Sequence, residues 1–441
     1  MKFPFWPNPS GYRDIELGLS RVYQLLERLG NPHLQLPPTI HIAGTNGKGS
    51  TQAFLRAIFE EAELKIHSYT SPHLVNFNER IILAGHEISD DYLNEILREC
   101  KIAAEKIPAI PVTFFEGITV AAFLAFSRVK ADLLLLEVGM GGRLDATNVL
   151  PEVLCSIITP IAFDHEEFLG NSLEKIAFEK AGIIKKNCPV IIGDQNLEAL
   201  HTVENQARTM NAEIFNFDKN FLDFEVSLEG NHQHKNAATA ATAAISQKKF
   251  SITLEQIKRA LKKAKWPARL QKITSGKFFE MAKSCELYLD GSHNPQGATT
   301  IVDFLKNKKN THKTNTSFLN ASAFKNLIKG SSVASQPRMT DVEKKVSVIF
   351  GMLKDKNCEE FLKIISPEVS ELIAIEIPNE SKSRSAAEIF DIAQKLKIKS
   401  QTAKNLEEAF TKIKCHESAI ILVCGSLYLA GSFLEMNSEK K

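Results

Sequence analysis

Three things are scarce in this sequence, and each scarcity argues against a class of protein. Paired cysteine is the first. The seven cysteines (Cys100, Cys155, Cys188, Cys285, Cys358, Cys415 and Cys424) are odd in number, and no two stand in CxxC spacing. That speaks against a disulfide framework and against a thiolate zinc site. It predicts a reducing compartment where thiols serve as small core residues. Surplus charge is the second: 54 Lys and Arg against 52 Asp and Glu leave a net charge of +2. No global field draws the chain toward nucleic acid or a lipid surface, so an anionic ligand must be held by local charge. Long apolar runs are the third. Stretches such as Ile118–Phe126 fall well short of the ~20 residues that span a bilayer. The opening MKFPFWPNPS puts prolines where a signal peptide needs an unbroken apolar stretch. A cytoplasmic monomer acting on small molecules, with neither nucleic-acid nor membrane partner, is the expectation.

What is present is ordinary in bulk and specific in detail. At 441 residues, 44% hydrophobic and 24% charged, the chain suits a globular protein of two domains. Short apolar runs predict strands at Thr39–Ile42, Lys65–Tyr69, Ala131–Val138 and Ser156–Ile161. Helical spacing predicts helices at Ile118–Val129 and Leu173–Ile184 between them, and one along Ile15, Leu19, Val22, Leu26 and Leu29. The second half alternates likewise. Strands are expected at Glu286–Leu289, Val346–Phe350, Leu372–Ile377 and Ala419–Val423. Helices are expected at Gln296–Leu305, Cys358–Ile365, Ser385–Leu396, Leu406–Lys414 and Leu427–Leu434. Strand–helix alternation predicts α/β units built on parallel sheets. A basic helix ending at Trp266–Pro267 marks the expected boundary, giving domains 1–267 and 268–441. Lys306–Lys345 is rich in Asn, Lys, Ser and Thr and reads as a surface insertion.

The residues with chemistry cluster at strand ends. Gly44, Thr45, Asn46, Gly47, Lys48, Gly49 and Ser50 follow a strand and open a helix. Glycines let successive N–H groups face a phosphate, the helix end adds positive potential, and Lys48 can reach the terminal phosphates. Only two residues separate the first glycine pair, whereas the general phosphate-loop pattern has four. A bare glycine turn is the competing reading. Glu137 ends an apolar strand and precedes Gly139, Gly141 and Gly142, a placement suited to Mg²⁺. Asp164 and His165 follow the next strand. Taken alone, Ser71-Pro72-His73 is an unremarkable turn, and Lys180 reads as a solvated helix lysine beside Glu174, Lys175 and Glu179. Phe114 and Phe115 suit an aromatic ligand wall or core packing about equally. Asp290, His293 and Asn294 are polar residues in a loop.

Together these segments resemble the folylpolyglutamate synthase and dihydrofolate synthase family of the Mur ligase superfamily. HIAGTNGKGS (41–50), TSPHL (70–74), NERI (78–81), TFFE (113–116), EVGMGGRLDATN (137–148), FDH (163–165) and EKAGIIK (179–185) carry the likeness in the first half. HQHKNA (232–237), WPARLQ (266–271), LDGSHNP (289–295), GMLKDK (351–356) and GSLYLAG (425–431) carry it on, in the family's order. The resemblance implies a Mur-ligase-like ATPase domain followed by a Rossmann-like domain. It implies that Gly44–Ser50, Asn236, Arg269 and Asp290 bind ATP, and that Ser71, Glu137 and His165 hold Mg²⁺. Lys180 matches a lysine the family carries as a carbamate. Thr113, Phe114, Phe115, Glu116, Leu144, Asp145 and Ala146 match the dihydropteroate site, and the TFFE form looks like that of bacterial enzymes that make dihydrofolate. Ser292 and Met140 replace the usual alanine and leucine. The implied activity is ATP-dependent addition of L-glutamate to dihydropteroate, to folates, or to both, through an acyl phosphate. Lys48, Lys180 and His293 are the residues closest to the chemistry. A Mur-type cell-wall ligase and a non-ligating nucleotide-binding regulator are the alternatives.

Overall fold

The computed structural model describes residues 4–7, 18–309, 345–414 and 419–438. Ile15, Cys415 and nearly all of the expected insertion lie outside those residues. Packing divides the chain into two units: Met1–Leu228 with His232–Pro267, and Glu229–Asn231 with Ala268–Lys441.

The first unit runs α1 (Ser20–Arg28), β1 (Thr39–Ala43), α2 (Lys48–Glu61), β2 (Ile66–Tyr69), β3 (Ile81–Leu83), β4 (His86–Glu87), α3 (Asp90–Glu105), α4 (Phe114–Arg128) and β5 (Leu133–Glu137). It continues with β6 (Cys155–Ile158), α5 (Glu166–Leu169), α6 (Leu173–Ala181), β7 (Val190–Ile192), α7 (Leu197–Thr209), β8 (Ile214–Asn216), α8 (Asn231–Ser246) and α9 (Leu254–Leu261). Its eight-stranded sheet has the order β4-β3-β2-β5-β1-β6-β7-β8. Every residue of β1, β2, β5 and β6 is buried. A parallel sheet covered on both faces buries whole strands, which is why β5 reads as a continuous apolar run, while β1, β2 and β6 bury polar residues such as His41, His67 and Ser156 as well. Side chains alternate along β5. Leu134 and Leu136 join the core under α1, α3 and α4, while Leu133 and Leu135 face α2, α8 and α9.

Two sequence expectations shift here. α4 begins at Phe114, four residues before its apolar spacing suggests, because Thr113 and Glu116 form a reciprocal capping box. The sheet also ends in short reversed strands, with β3 antiparallel to β2 and β4 to β3. Elements of two or three residues are too short to show a period.

The second unit runs β9 (Gln271–Ile273), α10 (Lys277–Ala282), β10 (Glu286–Leu289), α11 (residues 295–309), β11 (Val346–Phe350), α12 (Cys358–Ile365), β12 (Glu371–Ala374), α13 (Ala386–Lys395), β13 (Ser400–Thr402), α14 (Leu406–Lys412), β14 (Ile420–Cys424) and α15 (Leu427–Ser438). Its sheet order is β13-β12-β11-β14-β10-β9, parallel except for β9. The α/β reading of both halves holds.

Candidate functional site

β2, β5, β1 and β6 are neighbours and parallel, so their carboxyl ends share one edge of the sheet. That edge is where open α/β sheets take ligands. Gly44 follows β1, Ser71 follows β2 by two residues, Glu137 closes β5, and Thr159 follows β6. Register places Glu137 beside Ile42 and Ile158 beside Ala43. Topology alone therefore gathers the phosphate-loop glycines and the candidate metal carboxylate.

The loop itself is built for close approach. Gly47 is the N-cap of α2 at φ 88°, in the left-handed region, and no side chain caps the helix. The first N–H groups of a helix have no intrahelical partner, so an uncapped end presents them to an anion. Gly49 is needed for space rather than conformation: a Cβ there would stand 2.6 Å from the Trp266 ring. Asn236 is buried on α8, and its Oδ1 would meet a Cβ at Gly47 at 2.5 Å, so it lies against the same turn. Thr45 and Asn46 are tied from the other side, their N–H groups donating to Pro160 O at 2.9 and 3.1 Å. The Thr45 hydroxyl donates to Ala162 O at 3.0 Å and accepts from Ala162 N at 3.1 Å. Ser50 is buried in the first turn of α2.

Two lysine amino groups converge on one carbonyl. Lys48 Nζ donates to Gly44 O at 3.1 Å, and Lys180 Nζ donates to the same oxygen at 3.0 Å. The solvated reading of Lys180 is corrected: the residue is 5% exposed. It lies in the last turn of α6, which carries it inward, while Glu179 beside it pairs with Arg143 at 2.8 Å. Burial first, and Lys48 second, bring its pKa down to about 7.

Ser71 N donates to Glu137 Oε2 at 3.4 Å, so the turn after β2 stands against that carboxylate. His165 adopts φ 53° at the start of α5. Such a backbone is uncommon for a non-glycine residue and frequent at functional sites. Asp164 Oδ1 accepts from His165 N at 3.0 Å. Among the described residues no group of three or more His, Cys, Asp or Glu could hold a metal by itself. The set Ser71, Glu137 and His165 is mixed, a hydroxyl, a carboxylate and an imidazole. Its donors suit a divalent cation that keeps phosphate and water oxygens for its remaining positions.

The expected dihydropteroate residues divide by what their polar groups do. Thr113 N donates to Glu116 Oε2 at 2.7 Å, and Glu116 N donates to Thr113 Oγ1 at 3.3 Å. Arg21 Nη2 donates to Glu116 Oε1 at 2.9 Å and Arg21 Nε to both carboxylate oxygens at 3.1 Å. Both residues therefore build the start of α4. Phe114 is core, edge-on to Phe77 at 6.2 Å, whereas half-buried Phe115 lays its ring against Gly139. Buried Asp145 accepts from Met140 N at 2.9 Å and Thr147 N at 3.0 Å, which closes the loop that carries Leu144 and Ala146. Burial pushes its carboxyl upward against those hydrogen bonds.

In the second unit, Asp290 is a turn-builder, accepting from Leu270 N and Ser292 N at 2.8 Å each. Arg269 Nη1 donates to Ala268 O at 2.9 Å and lies over Gly291. His293 Nδ1 stands 3.0 Å from Gly291 O. Sequence reasoning took Arg269 from the WPARLQ segment and passed over Trp266. The close packing of Trp266 on Gly49 appears only in the structure, because the two residues lie far apart in the sequence.

Comparison with known proteins places the chain among relatives. Residues 42–197 match the family described as the Mur ligase middle domain. Over 94% of its length the chain is 31% identical to a dihydrofolate synthase/folylpolyglutamate synthase of Bacillus subtilis, covering 93% of that protein. It is 32% identical to a probable dihydrofolate synthetase of Schizosaccharomyces pombe, over 95% of this chain and 97% of the other. A solved structure of a bifunctional folylpolyglutamate synthase/dihydrofolate synthase from Yersinia pestis, complexed with AMPPNP and a manganese ion, is 27% identical. It has a TM-score of 0.76 and covers 96% of this chain and 94% of that one.

Proposed function

This chain belongs to the dihydrofolate synthase/folylpolyglutamate synthase family, and from that premise we propose that it ligates L-glutamate to dihydropteroate and extends folates by the same chemistry. It is an ATP-dependent carboxylate–amine ligase, and its cofactors are ATP and a divalent cation, Mg²⁺ in this proposal. The observation that carries the reading is the uncapped, glycine-led start of α2 with Lys48 and buried Lys180 converging on Gly44 O.

A carboxylate resists attack because its carbon already shares the full anionic charge. The acceptor carboxylate oxygen bonds to the γ-phosphorus of ATP, the bond to ADP breaks, and an acyl phosphate results. The glutamate amine then attacks the acyl carbon, phosphate leaves, and the amine proton passes to solvent. Gly44–Ser50 cradle the phosphates, and Lys48 neutralises charge on the transferring phosphoryl group. A divalent cation at Ser71, Glu137 and His165 would add to that neutralisation. Burial holds Lys180 well below the ordinary lysine value, at about 7, which favours the neutral amine. A neutral amine is the form that bonds to CO₂, giving a carbamate and releasing a proton. Asn236 stands against the phosphate loop. Arg269 and Asp290 are proposed nucleotide contacts of the second unit, and His293 a proton-transfer or positioning group. Phe115, with Leu144 and Ala146, offers apolar surface to the pterin. No helix among the described residues is long and apolar enough to cross a membrane. A cytoplasmic monomer remains our proposal.

The test is ADP release with dihydropteroate and with tetrahydrofolate as acceptors, with products sized by mass spectrometry. ADP formation that requires both acceptor and glutamate is expected. ADP formation without either would favour a nucleotide-dependent regulator, and activity confined to cell-wall precursors would favour a Mur-type ligase.

A further inference from the structure

Behind the loop that follows β5 runs a buried chain of three polar side chains to which the proposed reaction assigns no step. His41 lies in the middle of β1 with no exposed surface, and its Nε2 stands 2.9 Å from Thr147 Oγ1. The Thr147 hydroxyl donates to Asp145 Oδ1 at 2.5 Å. Asp145 in turn receives the N–H groups of Thr147 and Met140, so it gathers the two ends of the segment 140–147.

Donor arithmetic fixes the direction of this chain. A carboxylate only accepts, and a threonine hydroxyl has one proton, here spent on Asp145. Thr147 can then only accept from His41, so Nε2 carries the imidazole hydrogen. Nδ1 is left buried with no hydrogen-bond partner. Burial also keeps the ring neutral, with a pKa of about 3. A leucine would fill a central β-strand position without stranding a nitrogen. A histidine tolerated at that cost needs something to do.

Its surroundings suggest the task. β1 delivers the phosphate loop three residues after His41, but His41 reaches away from it, to the loop that leaves Glu137 and carries Leu144 and Ala146. We propose that His41, acting through Thr147 and Asp145, is a positioning residue for the acceptor-binding loop, setting the affinity for the pterin acid and leaving nucleotide affinity alone. The proposal deepens the functional reading above and rests on it.

The experiment varies acceptor and ATP separately in His41→Leu, His41→Gln, Thr147→Val and Thr147→Ser. Removing the donor in His41→Leu should raise the acceptor KM roughly tenfold and leave the ATP KM within about twofold, the scale of one lost buried hydrogen bond. Thr147→Val should do the same. The double variant should be no worse than either single one, because the chain acts as a unit. Thr147→Ser, and in part His41→Gln, keep a donor and should restore the acceptor KM. Amide exchange at Met140 and Thr147 in the substrate-free protein should quicken in His41→Leu and Thr147→Val and stay slow in Thr147→Ser. An ATP KM that rises in step with the acceptor KM, additive effects in the double variant, or unchanged amide exchange in His41→Leu would each overturn the proposal. If the wild type forms no acceptor-dependent ADP, the functional reading fails instead, and amide exchange still decides whether the chain holds the loop.

Discussion

α2 and α4 begin in opposite ways. α2 starts at a left-handed glycine with no side chain over its first turn. α4 starts under a full capping box, and Arg21 braces the capping carboxylate from outside. Both helices carry family motifs at their first residues. The first leaves its end free of any side-chain cap, and the second spends Thr113 and Glu116 on itself, with the Phe115 ring laid against Gly139. A motif at a helix start can thus mean recognition or construction. The hydrogen bonds of its first turn separate the two.

The contrast breaks most sharply at Lys48. Lys48→Ala should lower ligation by on the order of 10³-fold, as loss of a transition-state charge partner does, while the unfolding midpoint in urea barely moves. Wild-type turnover in that variant would remove the phosphate-loop role. Lys180 comes next. Its folded pKa of about 7 lies below the ordinary lysine value of 10.5. Between those values the unfolded chain binds more protons than the folded one, so stability rises with pH across that window. Below about 7 the cost of burying the ammonium is fully present. In CO₂-free buffer, Lys180→Met should therefore be more stable than wild type at pH 7, by at least ~1 kcal/mol, and the gap should narrow toward pH 10. A gap that does not change with pH would mean the lysine is solvated after all.

Lys180 also marks where sequence stops informing. The phosphate loop is legible because its parts are adjacent: strand, glycines, lysine, helix. Glu137 is legible because an apolar strand ends on it. Lys180 is not, because its partner Gly44 O belongs to a strand end 136 residues away. Its own helix sends mixed signals: Glu174, Lys175 and Glu179 suggest a solvated face, while Ile176 and Ala177, four and three residues before it, lie on the buried one. The early start of α4 and the reversed strands β3, β4 and β9 were missed for a local reason. A capping box resets a helix start independently of apolar spacing, and strands of two or three residues carry no period. Family resemblance added Ser71 to the proposed metal set and proposed the carbamate on Lys180, neither of which a spacing rule reaches.

Gly49 sharpens the comparison from the α2 side. A methyl there would fall 2.6 Å from the Trp266 ring. Gly49→Ala should displace either the ring or the first turn, an overpacking effect of about 1–3 kcal/mol. A higher ATP KM is expected, with the acceptor KM unchanged. Trp266→Ala in the same chain should recover part of the ATP affinity, because it clears the space. No recovery would show that the glycine is needed for approach to the nucleotide and not for room beneath the tryptophan.

The smallest effect tests the α4 side. If Thr113 and Glu116 only build the helix start, their loss should appear in stability before it appears in binding. Thr113→Ala removes one cap acceptor and should cost about 1 kcal/mol in urea unfolding. Glu116→Gln leaves the guanidinium of Arg21 without its charge partner in a part-buried position and should cost roughly 2 kcal/mol. Neither should move the ATP KM. The acceptor KM decides between the two meanings of the motif. Unchanged in Thr113→Ala, it leaves the threonine as construction alone. Raised tenfold or more at equal stability, it would put the hydroxyl in contact with the pterin, and the division between a recognising helix start and a self-capped one would fail at α4.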